Sequence, residues 1–206
     1  VHRKPIVYIV DDEPEVRTAL KVTVELMGLE AATFASAQAF LDSYDPNQVG
    51  CLVVDLRMPE MSGQALLETL AARGASIPAI MVSGHGDIPA AVRALGAGAI
   101  NFLEKPYKLD VLRESIVKAI ELSRERMRES AEETAIQQRL EQLTPEERIV
   151  MHLTVAGKPD KAIAARLNLS VRTIQFRRAS MMKKLNIRTR SQLVAIAQAD
   201  TEPPAV

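Results

Sequence analysis

The chain predicts an α/β fold followed by a small all-α domain. Three observations carry that reading. Short apolar runs alternate with helical patterns over the first 120 or so residues. Acidic residues, or a lysine, stand just after three of those runs. The last 60 or so residues hold only short helical patterns and a surplus of positive charge.

The candidate strands are residues 6–10, 30–34, 51–54, 79–82 and 101–103. Their nearly continuous apolar character suits a parallel sheet covered on both faces. Between them Val16, Leu20, Val24 and Met27 recur at helical spacing, as do Leu66, Leu67 and Leu70, then Val92 and Leu95. Gly28, Gly74 and Gly98 follow these patterns, where a left-handed residue ends a helix at least cost. Five βα units result, predicting a five-stranded parallel, doubly wound sheet over residues 1–122. Asp11-Asp12, Asp55 and Lys105-Pro106 would then meet at its carboxyl edge, where open α/β sheets bind ligands.

A further helical pattern starts at Lys108 and runs without Pro or Gly towards Leu143. Residues 123–143 read as a helical linker rich in Glu, Arg, Gln and Ala. Met127, Ile136, Leu140 and Leu143 are sparse for a heptad, which favours a solvated helix over a dimeric coiled coil. Thr144-Pro145-Glu146-Glu147 is a helix start with a capping box, opening a domain over 144–206. Helical patterns follow over 149–156, 160–167, 171–185 and 191–198, making an all-α four-helix domain. Only Asn168-Leu169-Ser170 separates the second helix from the third, the span of a helix-turn-helix corner.

Charge divides along the same lines. Residues 1–122 hold 11 Lys and Arg against 16 Asp and Glu, whereas residues 144–206 hold 11 against 5. The basic third suits a phosphate backbone, and the acidic first half suits a cation. The lone Cys51 lies in an apolar run and reads as a buried thiol; one cysteine excludes an internal disulfide. No run approaches the length of a membrane span and no signal pattern is present, so no membrane partner is expected and the cytoplasm is the expected location.

The stretches Val10-Asp11-Asp12-Glu13, Val54-Asp55-Leu56-Arg57-Met58-Pro59-Glu60-Met61-Ser62-Gly63, Ser83-Gly84-His85-Gly86-Asp87 and Glu104-Lys105-Pro106 resemble the receiver domain of two-component response regulators. Leu143-Thr144-Pro145-Glu146-Glu147-Arg148, residues 156–164 and residues 172–185 resemble the LuxR-type DNA-binding domain. Together they are similar to the FixJ branch of the NarL/FixJ family. The resemblance implies a flavodoxin-like receiver in which Asp55 accepts a phosphoryl group from a cognate histidine kinase. It implies Mg²⁺ on Asp12, Asp55 and the backbone carbonyl of Arg57, with Asp11 acting mainly through a water. Lys105 would be the counter-charge, joined to Pro106 by a cis bond, and Ser83 the hydroxyl donor. Ser83 and Phe102 would form the switch, and residues 88–122 the output face. His85 is either a modulator of phosphoryl lifetime or a plain loop residue.

In the second domain the resemblance assigns DNA contacts to Lys161, Thr173, Gln175 and Phe176, and the basic third helix adds Arg172 and Arg178 as expected contacts. Gln175 and Phe176 would face base edges; glutamine can read adenine and an apolar side chain a thymine methyl. Arg177 departs from the histidine usual in the family, so no target sequence carries over. The expected protein is a phosphorylation-controlled transcriptional regulator whose only chemistry is self-phosphotransfer and autodephosphorylation. Double-stranded DNA, a homodimer formed on phosphorylation and RNA polymerase are its expected partners. A phosphatase using the same pocket, and a constitutive DNA binder indifferent to phosphorylation, are the competing readings.

Overall fold

The computed structural model describes residues 4–84 and 88–200. They divide into two compact units, with the boundary between Arg128 and Glu129.

The first unit contains β1 (Ile6–Val10), α1 (Pro14–Leu26), β2 (Glu30–Phe34), α2 (Ala37–Ser43), β3 (Gly50–Asp55), α3 (Gly63–Ala72), β4 (Ala79–Ser83), α4 (Ile88–Gly96) and β5 (Ala99–Glu104). All strand pairs are parallel, in the order β2-β1-β3-β4-β5. Side chains alternate across this sheet, except where β5 shifts register beside Ala79 and Ile80. Val7, Ile9, Cys51, Val53, Ile80 and Val82 pack on one face with Leu20 and Val24 of α1. Tyr8, Val10, Leu52, Val54, Ala79 and Met81 pack on the other with residues of α2, α3 and α4. This two-residue alternation explains why the runs read as continuously apolar: both faces are buried. Complete burial of a Val, Leu or Ile contributes about 1.5–3 kcal/mol, so the sheet's central strands are the stable platform for whatever stands at their ends. Tyr8, Phe34, Phe40 and Tyr44 stack against one another beneath α2.

β3 and β5 extend beyond the residues that the apolar runs marked, and β3 runs into Asp55 itself. Gly28, Gly74 and Gly98 all have positive φ. The Lys105–Pro106 bond is cis. Cys51 is fully buried, which pushes its thiol pKa up to about 12.

Helix α5 runs over Leu109–Glu141. Its first half covers the sheet through Leu112, Ile116, Ala119 and Ile120. Ser123 Oγ accepts a hydrogen bond from the Gly50 N–H, and the Arg126 guanidinium donates to the Ser76 carbonyl. Its last turns are not a solvated rod. Leu140 is buried, and Ile136 and Leu143 pack beside it in the core of the second unit. Residues 136, 140 and 143 are too few for a coiled-coil seam, but their spacing puts them on one face of a helix, enough for a core-facing stripe.

The second unit continues with α6 (Pro145–Val155), α7 (Asp160–Leu167), α8 (Val171–Lys184) and α9 (Arg190–Gln198). The Thr144–Glu147 capping box is formed, and Ser170 caps α8 by accepting from the Thr173 N–H. Ile174, Met181, Leu185 and Ile187 are buried. No described helix is long and apolar enough to cross a membrane.

Candidate functional site: an acidic pocket and a basic helix

The strand order reverses between β1 and β3. The helix after β1 covers one face and the helix after β3 the other, so their loops diverge and leave a crevice. Asp11 follows β1 and Asp55 ends β3 on its two sides. Lys105, just past β5, reaches in. Its Nζ lies 2.8 Å from Asp55 Oδ1 and 3.0 Å from Asp11 Oδ2. Asp11 is 2% exposed, so its charge is tolerable only with partners this close. Burial pulls the Lys105 ammonium down, but hydrogen bonds and charge from Asp55 and Asp11 outweigh it and leave its pKa above the ordinary lysine value. Two carboxylates share one ammonium, and the cluster keeps an uncompensated negative charge.

Backbone bonds set these groups in place. Asp55 Oδ2 accepts the Arg57 N–H at 2.6 Å, and Asp11 Oδ1 accepts the Glu13 N–H at 2.9 Å. The Lys105 N–H donates to the Ser83 carbonyl at 2.8 Å, placing the end of β4 beside the lysine. Ser83 is 1% exposed. Phe102 pairs with Met81 across the strands and is partly buried on the α4 face of the sheet. Asp12 and Arg57 are exposed at the rim. His85 lies outside the described residues.

Two residues support this pocket in ways the sequence did not assign. The Arg17 Nη1 on α1 donates to the Asp11 carbonyl at 2.7 Å, bracing the turn that carries both aspartates. Gly63 opens α3 directly behind β3, where a Cβ would clash with the Asp55 carbonyl oxygen. Only glycine fits that approach. The pattern of an acidic doublet and a basic residue six positions later could have signalled Arg17; Gly63 ends the Val54–Gly63 stretch that carries the receiver resemblance, but nothing local signals its close approach to Asp55.

The oxygen donors suit a hard cation. Among the described residues no group of three or more His, Cys, Asp or Glu side chains is placed to enclose a metal ion. Magnesium does not require one, since it keeps several waters and takes one or two carboxylates.

In the second unit, Arg172, Gln175 and Phe176 are exposed on α8, with Phe176 at 74%, and Lys161 is exposed on α7. Thr173 is half-buried, its hydroxyl 2.8 Å from Ser170 Oγ. Arg178 is also half-buried, and its Nη1 contacts Asp160 Oδ1 at 3.1 Å. An aromatic ring standing in water on a basic helix has no role in the unit's own core.

Residues 7–117 match the response regulator receiver domain, and residues 141–197 match the bacterial regulatory proteins of the luxR family. The chain is 40% identical to the transcriptional regulatory protein FixJ of Rhizobium meliloti, over 94% of this chain and 95% of that one. It is 36% identical to the response regulator protein TmoT of Ectopseudomonas mendocina, over 95% and 89%. The solved structure of the response regulator StyR superposes with a TM-score of 0.88 at 39% identity, covering 95% of this chain and 99% of that one. An aspartate pocket on a doubly wound sheet, a basic helix-turn-helix unit and likeness along almost the whole length agree: the chain belongs to the response regulators of the NarL/FixJ family, with a receiver domain and a LuxR-type DNA-binding domain.

Proposed function

We propose that this response regulator accepts a phosphoryl group on Asp55 from a cognate histidine kinase, and that the modification changes its dimerisation and its hold on DNA. The observation that carries the reading is the convergence of Asp55, Asp11 and Lys105 at the crevice between β1 and β3.

Phosphoryl transfer asks little covalent chemistry of a protein beyond positioning and charge. Asp55 Oδ1 and Oδ2 are each held by one donor, which fixes the carboxylate plane at the mouth of the pocket. The ammonium of Lys105 is placed to pair with a phosphoryl oxygen once the modification takes up Asp55 Oδ1. The Ser83 hydroxyl and the exposed backbone at Arg57 supply further polar groups. Asp12, Asp55 and the Arg57 carbonyl would hold Mg²⁺, with Asp11 behind them. When bound, the ion neutralises charge on the phosphoryl oxygens.

The product state carries more negative charge beside Lys105 and Ser83. Ser83 and Phe102 form the bistable element that reads it, because Ser83 ends β4 and Phe102 lies on the neighbouring β5, partly buried on the α4 face of the sheet. The exposed Val92 and Leu95 of α4 and Leu109 and Val111 of α5 support a dimer contact on that output face. In the second unit Lys161, Arg172, Thr173 and Arg178 serve the DNA backbone, while Gln175 and Phe176 meet base edges. RNA polymerase is a further partner of the DNA-bound form, and the cytoplasm is the compartment where all these partners meet.

Acetyl phosphate with Mg²⁺ tests the acceptor directly. Intact mass should rise by one phosphoryl group, and borohydride reduction should locate it at residue 55. Asp55→Asn should take up none. A wild-type mass that stays unchanged under these conditions, or a modification elsewhere that survives Asp55→Asn, would contradict the assignment.

A further inference from the structure

Of the described acids in the second unit, Glu147 and Asp200 are buried in helix packing, and Glu146 lies fully exposed on the first turn of α6. Asp160 differs from all three. It is the first residue of α7, next to Lys161, and its carboxylate takes the guanidinium of Arg178 from the middle of α8. The pair is not hidden: the Arg178 side chain is 42% exposed and that of Asp160 24%. Arg178 lies three residues past Gln175, on the flank of the face that carries Arg172, Gln175 and Phe176. An acid thus occupies a cation at the edge of a surface whose neighbouring residues are basic.

We propose that Asp160 governs the electrostatic part of DNA binding by withholding Arg178: a DNA phosphate must displace a carboxylate already in place before it gains that contact. The inference rests on the reading of α8 as the DNA-facing helix. Its physical basis is counterion release. Each cation that neutralises a phosphate adds nearly one unit to the slope of log affinity against log salt, and a cation held by its own carboxylate adds less. Phosphate contacts carry no sequence information. Restraining one of them therefore leaves a larger share of the affinity to Gln175 and Phe176.

The test is a salt titration of the full chain on a random-sequence duplex, followed by fluorescence anisotropy, for wild type, Asp160→Asn, Arg178→Met and the double variant. Asp160→Asn should bind more tightly at low salt and steepen the slope by about one unit, which makes the affinity lost between about 50 and 200 mM salt about fourfold larger. Arg178→Met should weaken binding, and the double variant should match Arg178→Met, because Asp160 acts through that guanidinium. An unchanged slope in Asp160→Asn overturns the proposal. So does a steepening of equal size in the Arg178→Met background, which would make Asp160 a simple repeller of DNA. If Arg178→Met binds like wild type, the assignment of Arg178 to DNA falls, and this inference with it. Asp160→Ser keeps a polar residue at the first turn of α7 and gives the same readout should the Asn variant melt early.

Discussion

In the first unit, two carboxylates converge on one ammonium at a strand-end crevice, and the surplus is negative. In the second, the described ion pairs join one helix to another or to the end of α9, and the surplus is positive. Glu147 of α6 holds Lys184 of α8 at 2.6 Å. Asp200, just after α9, holds both Arg148 and His152 of α6. The same chemistry therefore does two jobs. Pairs whose carboxylate is buried between helices, as those of Glu147 and Asp200 are, fix a fold, whereas like charges gathered at the mouth of a sheet are the arrangement expected of a ligand site.

Removing an acid should accordingly have opposite consequences in the two units. The largest loss is expected for Asp200→Ala. Its carboxylate is fully shielded from solvent, and deletion strands Arg148 and His152 against α6. The second unit should lose about 2–3 kcal/mol, read from hydrogen exchange in α6 and α9. A loss below about 0.5 kcal/mol would show that this pair does not hold the helices.

Glu147→Gln should cost about 1–2 kcal/mol, because the residue closes the capping box and receives Lys184. It also has a pH signature. Burial opposes the charged carboxylate, but Lys184 and the Thr144 N–H outweigh it and hold its pKa below the usual glutamate value. The stability so gained is present above the ordinary glutamate pKa and is lost as pH falls through the lowered one. Wild type and Glu147→Gln should therefore converge in stability on acidification. A gap that stays constant down to about pH 3 would rule out the charge as its source.

Asp55→Asn sharpens the contrast from the other side. Neutralising one of two carboxylates that share Lys105 should leave the receiver within about 1 kcal/mol of wild type or make it more stable, as measured by exchange in β3 and β4. A loss as large as that of Asp200→Ala would mean the pocket is built for stability. The smallest effect belongs to Lys21→Ala. Lys21 and Glu25 are about half exposed on α1, and losing this pair should change stability by less than about 0.5 kcal/mol in a urea titration.

The features legible in the sequence are those decided locally. Strands show as apolar runs because both faces are buried, and the Thr144–Glu147 box shows because its partners are three residues apart. Asp11, Asp55 and Lys105 could be brought together because each closes a strand of one parallel sheet. What stayed hidden depends on partners distant in the chain. The fate of Leu140 turned on whether a sparse apolar stripe meets a core, and periodicity is silent on that. Asp160 and Arg178 are unremarkable charges until the helix-turn-helix corner sets them 3.1 Å apart. Lys105 could be expected to pair with Asp55, but its equal hold on Asp11 is a matter of geometry.

In the proposed mechanism, a chemical event at Asp55 alters what the basic unit does. Beryllofluoride with Mg²⁺ mimics the phosphoryl group without turnover, so the decisive measurement is DNA affinity and oligomeric state of the full chain with and without it, beside Asp55→Asn. Treated wild type should dimerise and bind DNA more tightly, and the variant should not respond. Equal affinity and an unchanged oligomeric state in treated wild type, with beryllofluoride demonstrably bound, would contradict this mechanism.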